Sequence, residues 1–192
     1  MKQPEPMHRG SGFAPTDTNL LVSPLDFMSE DHLRERQFCV MIDGLAMAPS
    51  VDRQDALTVL RFLNEELNVH LRDDAEDLFP LLARRCTPED AIDRAIARIG
   101  VDQDAVRRLL PDMRSILARC LDTGSDLSEA ERGTLTRFAG HVRRYLVAEN
   151  AILLPIARVR LTRLDLRMLA LHMRARRGLP PGQPTEAGGR CD

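Results

Sequence analysis

Residues 91–121 read AIDRAIARIGVDQDAVRRLLPDMRSILARCL, and the spacing of their apolar side chains decides the fold class. Apolar or thiol side chains recur three and four residues apart, which is the period of one face of an α-helix. The positions on this face are Ile92, Ile96, Ile99, Gln103, Val106, Leu110, Met113, Leu117 and Cys120. Gln103 is the one amide among them and is therefore predicted to point into the protein interior. Gly100 and Pro111 are candidate positions for a bend in this helix.

Start and stop signals place four more helices around this one. Pro24 stands at a first helical position after Ser23, Thr87 precedes an acidic first turn, and Ser128 and Glu131 have the spacing of a capping box. The predicted helices cover about residues 24–47, 52–85, 87–121, 128 onward and 162–178, and the second continues through a proline at position 80.

Four long helices joined by short loops favour antiparallel neighbours. The sequence therefore predicts an all-α protein, an up-down-up-down four-helix bundle with an additional short C-terminal helix. No Trp, one Tyr and six Phe in 192 residues argue against a sandwich or barrel. Residues 21–178 are predicted to form the bundle. Residues 1–20 and 179–192, which contain prolines and glycines and no periodicity, are expected to be disordered.

Charge and cysteine usage narrow the class of protein. The formal charge of -2, from 27 basic and 29 acidic residues, predicts neither a nucleic acid nor a membrane as partner. The four cysteines form no C-x-x-C pair, and no apolar stretch approaches the roughly 18 residues of a membrane span, so a cytoplasmic location is expected. A nucleophile with its base and a phosphate-binding loop are both missing, which makes an enzyme the less favoured class.

The buried face turns polar in the other long helices as well. The polar positions are His70 and Asp74 on the second helix, Tyr145 and Glu149 on the fourth, and His32, Glu35 or both on the first. The fourth helix continues this face through Ile152 and Ile156. An unpaired buried carboxylate costs several kcal/mol, so these groups need either a bound cation or mutual hydrogen bonds.

The spacing of these groups favours a metal. His70 and Asp74 lie one helical turn apart, as do Tyr145 and Glu149, so each pair shares one face. Imidazole nitrogens with carboxylate oxygens are typical ligands of non-haem iron, manganese or zinc. A single inward histidine is usually a core residue, but here polar groups coincide on all four helices. The other histidines, His8, His141 and His172, are expected to lie outside the site.

Four motifs of residues 24–178 resemble the hemerythrin-like HHE cation-binding family, in its bacterial form with a fifth helix. They are Pro24-Leu25-Asp26-Phe27 with Asp31-His32 and Arg36-Gln37; His70 to Asp77 with Leu78-Phe79-Pro80; Tyr145 to Ala151 with Leu153-Leu154-Pro155; and Leu161-Thr162 to Met173 with Arg176-Arg177-Gly178. The two carboxylate-x-x-x-Leu-(Phe/Leu)-Pro signatures are the most specific part.

The resemblance implies a non-haem di-iron centre inside the bundle. His32 and His70 match the first two histidines, Asp74 stands in place of the usual glutamate, and Glu149 matches the last carboxylate. Two family histidines are replaced, the third-helix one by Gln103 and the fourth-helix one by Tyr145. Three states remain open: a carboxylate-bridged iron pair on His32, His70, Asp74 and Glu149, one iron with tyrosinate, and no metal.

The leading functional prediction is a cytoplasmic non-haem iron protein with one or two iron ions. By resemblance, it responds to dioxygen, nitric oxide or redox state, or handles iron. The alternative is a metal-free or single-metal bundle that acts as a protein interaction module, its site replaced by a hydrogen-bonded network. Weak oxidase or peroxidase activity at an incomplete iron site is a third hypothesis.

Overall fold

Residues 14–181 are described by a computed structural model, and all regular structure within them is helical. The helices are Pro24–Met47 (α1), Arg53–Glu65 (α2), Leu67–Asp73 (α3), Phe79–Arg85 (α4), Ile92–Thr123 (α5), Glu129–Ala148 (α6), Leu154–Arg160 (α7) and Arg163–Arg176 (α8). Two π turns, Asp74–Leu78 and Glu149–Leu153, join α3 to α4 and α6 to α7. Short 3-10 helices cover Thr18–Val22 and Pro88–Asp90.

Four rods form the bundle. The first rod is α1, the second comprises residues 53–85, the third is α5, and the fourth comprises residues 129–160. Contacts run from α1 to α2, α2 to α5, α5 to α6 and α6 back to α1, which closes the ring around one apolar core. Short connections reverse the chain between successive rods. The predicted all-α bundle with an additional C-terminal helix is confirmed.

Several helix starts agree with the predicted signals. Pro24 opens α1, and the capping boxes at Ser128 and Thr162 are both formed, with Glu131 and Asp165 returning the second hydrogen bond. The capping box at Thr87 caps the N-terminus of the short 3-10 helix instead. Helix α5 begins only after Ala91, whose φ of 49° lies in the left-handed region. Helix α5 then continues through both expected bend positions to Thr123.

Two predictions about helix continuity are wrong. The second rod is interrupted at Glu66 and again by the π turn at Asp74–Leu78, so it is three helices rather than one. In the fourth rod, the π turn at Glu149–Leu153 adds a residue to one turn and shifts the buried face by one position. Ile152, predicted to face inward, is 38% exposed, and Leu153 is buried in its place.

The structure describes part of each segment that borders the predicted bundle. The segment expected to be disordered up to residue 20 overlaps the 3-10 helix Thr18–Val22, whose Leu21 is fully buried. At the other end, Leu179 packs against the core and donates its amide to the carbonyl of Arg174. Residues 1–13 and 182–192, which make up most of the two segments predicted to be disordered, lie outside the described residues.

Helix α8 packs across the outside of the bundle, against α1 and α3. Leu169 and Met173 are its buried anchors, and burial of each stabilises the fold by about 1.5–3 kcal/mol. Within residues 14–181, no helix combines the length and the hydropathy that crossing a membrane requires.

Candidate metal centre

The backbone widens where both buried carboxylates enter the bundle. Asp74 and Glu149 are the first residues of the two π turns, and the amides of Phe79 and Leu154 bond to their carbonyls five residues back. A proline follows six positions after each carboxylate, and proline offers no amide for the ordinary helical bond and clashes with the carbonyl four residues earlier. A π turn relieves that clash, and such turns are frequent at functional sites.

Three buried side chains from three rods meet at one point. His32 Nε2 lies 3.2 Å from Glu149 Oε2, and His70 Nε2 lies 3.7 Å from the same oxygen. His70 Nε2 is also 3.4 Å from Asp74 Oδ2. Donor atoms bound tetrahedrally at about 2.1 Å from one ion are separated by about 3.4 Å. His32, His70 and Glu149 therefore form a group with the spacing that a single cation needs.

The candidate ligand atoms at this point lack hydrogen-bond partners. Both ring nitrogens of His32, Nε2 of His70, Oδ1 of Asp74 and Oε2 of Glu149 are buried without a properly oriented partner. Buried polar atoms are nearly always paired, so this many orphans in one place indicate a missing group. Nitrogen and carboxylate donors with free lone pairs fit a transition-metal cation.

Gln103 lies beside these donors but presents its nitrogen to them. Its Nε2 donates to Asp74 Oδ2 at 2.8 Å and to Glu149 Oε1 at 3.0 Å. Its Oε1 accepts a hydrogen bond from Arg107 Nη2 at 3.3 Å, which agrees with this orientation of the amide. Gln103 thus directs an N–H donor rather than a lone pair at the two carboxylates.

Tyr145 belongs to the opposite edge of the cluster. Its hydroxyl donates to Glu35 Oε2 at 2.8 Å, and its ring stacks on that of His70 at 6.0 Å between centroids. Glu35 Oε1 has no hydrogen bond and lies 3.6 Å from His70 Nδ1. The alternatives for the first helix resolve to both residues facing inward, because His32 and Glu35 are each at most 1% exposed.

Burial controls the ionisation of these groups. Burial, and then the neighbouring His70, lower the pKa of His32 to about 3, so its imidazole is neutral as a metal ligand must be. Burial raises the pKa values of Asp74 and Glu149 above those of ordinary carboxyls and that of Glu35 to about 7. Burial alone would lower the pKa of His70, but Glu35, Asp74 and Glu149 together raise it.

A second layer of charge ties α8 to the second rod. Arg176 Nη1 lies 2.7 Å from Asp73 Oδ1, and Arg177 Nη2 lies 2.7 Å from Asp73 Oδ2. Arg176 also pairs with Asp77. These carboxylates flank Asp74 in sequence, so α8 holds the π turn that carries a candidate ligand. Sequence tracing missed this contact because it follows one helix face at a time.

The remaining histidines lie away from the cluster. His141 Nδ1 is 2.7 Å from Asp102 Oδ1, and His172 Nδ1 is 2.5 Å from Asp77 Oδ1. Both side chains are partly exposed and engaged with these carboxylates. The expectation for His8 falls outside the described residues.

Comparison with protein-family models identifies a match over most of the chain. Residues 23–157 match the family model described as the hemerythrin HHE cation binding domain, which is more than half of the chain. The matched range contains every residue of the buried cluster described above and ends before α8. No curated protein matches the chain significantly.

Proposed function

Because the chain belongs to the hemerythrin HHE cation-binding family, we propose that its bundle binds non-haem iron. The observation that carries the proposal is the meeting of His32 Nε2, His70 Nε2 and Glu149 Oε2 without hydrogen-bond partners in the bundle interior. A pair of imidazoles with a carboxylate suits iron better than calcium or magnesium, which prefer oxygen ligands alone.

The chain's own residues would hold the ion and keep water from it. His32, His70 and Glu149 supply ligand atoms, and Asp74 lies close enough to His70 to join them. Bound iron would supply a redox-active Lewis acid that can take a small diatomic ligand. All four side chains are at most 2% exposed, so the surrounding core admits only small molecules.

The enclosure of these side chains supports a small ligand. We propose that the protein responds to dioxygen, nitric oxide or redox state, or takes part in iron handling, rather than catalysing turnover of a larger substrate. A cytoplasmic location is part of the proposal. It is supported by the unpaired state of Cys39, Cys86 and Cys120 in the described part of the chain, which suits a reducing compartment.

The metal-free interaction module is less well supported by the side-chain contacts. Hydrogen bonds from Gln103 and Tyr145 satisfy one oxygen each of Asp74, Glu149 and Glu35. The other oxygen of each of these carboxylates stays buried and unpaired, and each unpaired polar group costs about 1–3 kcal/mol, with more for charged groups. A cation removes that cost.

Iron content and thermal stability test the proposal together. We expect protein expressed with iron to retain it through gel filtration, to absorb in the visible range, and to melt at a higher temperature than chelator-treated protein. Iron bound to carboxylates at the protein surface is distinguished from iron at the buried site by a wash with chelator, which strips exposed ions first. A colourless protein that retains no iron and whose melting temperature does not respond to ferrous iron would rule out the proposal.

A further inference from the structure

We propose that this centre holds a single cation and that the side-chain amide of Gln103 takes the place of a second one. The inference rests on the proposed iron binding and specifies its stoichiometry. It departs from the di-iron centre that the family resemblance implies.

Three of the buried atoms without hydrogen bonds, one each from His32, His70 and Glu149, converge on one position. Glu149 Oε2 is shared by the two imidazoles, at 3.2 Å from His32 Nε2 and 3.7 Å from His70 Nε2. These are the separations of ligands around one ion rather than of ligands divided between two. Since both candidate histidine ligands face the same carboxylate oxygen through Nε2, another ion would have to share one of these two rings.

Hydrogen bonds from the Gln103 side chain already bridge the two carboxylates, Asp74 and Glu149, on their other side. An amide NH₂ group has two hydrogens, and those of Gln103 go to Asp74 at 2.8 Å and to Glu149 at 3.0 Å. Each carboxylate thereby receives partial positive charge from a shared group, which is what a bridging cation would supply. Gln103 is 1% exposed, so these bonds form in a dry, low-dielectric interior where they are strong.

The orientation of this amide is fixed from outside the cluster. Arg107 sits one turn later on α5 and donates to Gln103 Oε1 and to the carbonyl of Leu71. Turning the amide over would bring its oxygen against two carboxylates and its NH₂ group against a guanidinium. Both changes are repulsive, so Gln103 cannot offer its oxygen to a metal without breaking this arrangement.

The Tyr145 edge holds a second group with metal-ligand spacing, Asp31, Glu35 and His70, but its histidine is the ring that already faces Glu149. The phenol proton is donated to Glu35 at 2.8 Å, and the free oxygen of Glu35 faces His70 Nδ1. A histidine that binds metal through Nε2 carries its proton on Nδ1, and a carboxylate commonly accepts a hydrogen bond from that N–H group. Glu35 is therefore placed to orient His70 toward the one ion.

The test counts ions in matched variants. Wild type, Gln103→Glu and Gln37→Glu are titrated with ferrous iron without oxygen, separated from free metal by gel filtration, and analysed for iron per chain. Gln103→Glu replaces the NH₂ bridge by oxygen donors of the same shape, whereas Gln37→Glu makes the same change at an exposed position of α1. We expect one iron per chain for wild type and Gln37→Glu, and two for Gln103→Glu.

Each outcome has one reading. Wild type that binds two ions overturns the single-cation proposal and leaves iron binding intact, whereas wild type that binds none overturns both. Folded Gln103→Glu protein that stays at one ion overturns the role given to Gln103. If circular dichroism shows that Gln103→Glu does not fold, Gln103→His makes the same test with a neutral donor, and one ion per chain in that variant overturns the role equally.

Discussion

His70 is the most connected side chain of the candidate centre. Its Nε2 faces Asp74 and Glu149, and its Nδ1 faces Glu35, so one ring lies between carboxylates on two sides. No other described histidine contacts more than one of the three carboxylates Glu35, Asp74 and Glu149. Replacing this ring removes both a ligand atom and the group that separates two negative charges.

We predict that His70→Ala weakens iron binding at least about 100-fold, because loss of a mere supporting contact at a metal site already costs about 10–100-fold. The measurement is the dissociation constant for ferrous iron under anaerobic conditions. His141→Ala is the matched control, since His141 pairs with Asp102 outside the cluster. Retention of wild-type affinity by His70→Ala would show that the ligand assignment is wrong.

A second prediction concerns Tyr145→Phe, which removes the donor to Glu35 and leaves that buried oxygen unpaired. We expect the metal-free protein to lose about 1–3 kcal/mol of unfolding free energy, measured in urea. The same substitution in a Glu35→Leu background should cost less, because the partner is already gone. Equal costs in both backgrounds would mean that the hydrogen bond contributes nothing.

Burial of individual residues could be predicted from the sequence, and the direction of their atoms could not. His32, His70, Asp74, Gln103, Tyr145 and Glu149 were all expected inside and are all at most 2% exposed. Their roles as ligands remain predictions. The orientation of Gln103 depends on Arg107, and the pairing of Tyr145 depends on Glu35 from another rod. Contacts of this kind follow from packing, which helical periodicity does not specify.

At the scale of helices, the two π turns are the features that periodicity misses. Tracing every third or fourth residue assumes a regular α-helix. Because the tracing did not account for the extra residue in Glu149–Leu153, it predicted that Ile152 faces the core, where Leu153 lies instead. A usable signal was present, since each buried carboxylate is followed six positions later by a proline. The start signals performed better, because a cap depends only on neighbours three residues apart.

The cap of α8 gives a prediction about pH. Asp165 accepts two hydrogen bonds from Arg85 and caps the helix through Thr162. Hydrogen bonds from Arg85, and then those from Thr162, hold its pKa well below the usual value near 4. A carboxyl with a lowered folded-state pKa stabilises the fold above its unfolded pKa, and this contribution is lost as pH falls toward the folded value.

We therefore expect Asp165→Asn to lower the unfolding free energy by about 1–3 kcal/mol near pH 6, since Arg85 is half-exposed and its share is screened. The difference from wild type should shrink as pH is lowered from about 4 toward about 2. Urea unfolding at several pH values provides the measurement. Asp122→Asn, an exposed position, controls for loss of charge alone, and a pH-independent difference for Asp165→Asn would contradict the linkage.

At the scale of the whole molecule, the centre joins all four rods. His32 comes from α1, His70 and Asp74 from the second rod, Gln103 from α5 and Glu149 from the fourth rod. The bundle topology could be predicted because short loops between long helices leave few alternatives. The break at Glu66 in the second rod could not, because Glu66 and its neighbours carry no helix-breaking residue.

An ion bound at this junction should stabilise the folded chain as a whole. At free ferrous iron 100 times the dissociation constant, linkage adds about 2.7 kcal/mol to the unfolding free energy. We expect chelator to remove this increment from wild type and from His141→Ala, and to change the unfolding free energy of His70→Ala by at most about 0.4 kcal/mol. Scanning calorimetry with and without chelator measures it, and an equal chelator effect on all three proteins would point to binding elsewhere.

The charge contacts of α8 bear on where the folding unit ends. Asp73 is fully buried, and its counter-charges are Arg176 and Arg177, both beyond the last residue of the family match at position 157. A buried acid deprived of its partners costs about 3–5 kcal/mol, a large part of the net stability of a domain of this size. We therefore expect the smallest autonomous piece of this chain to extend to Arg177, and a recombinant fragment trimmed to the matched range to be destabilised beside the turn that carries Asp74.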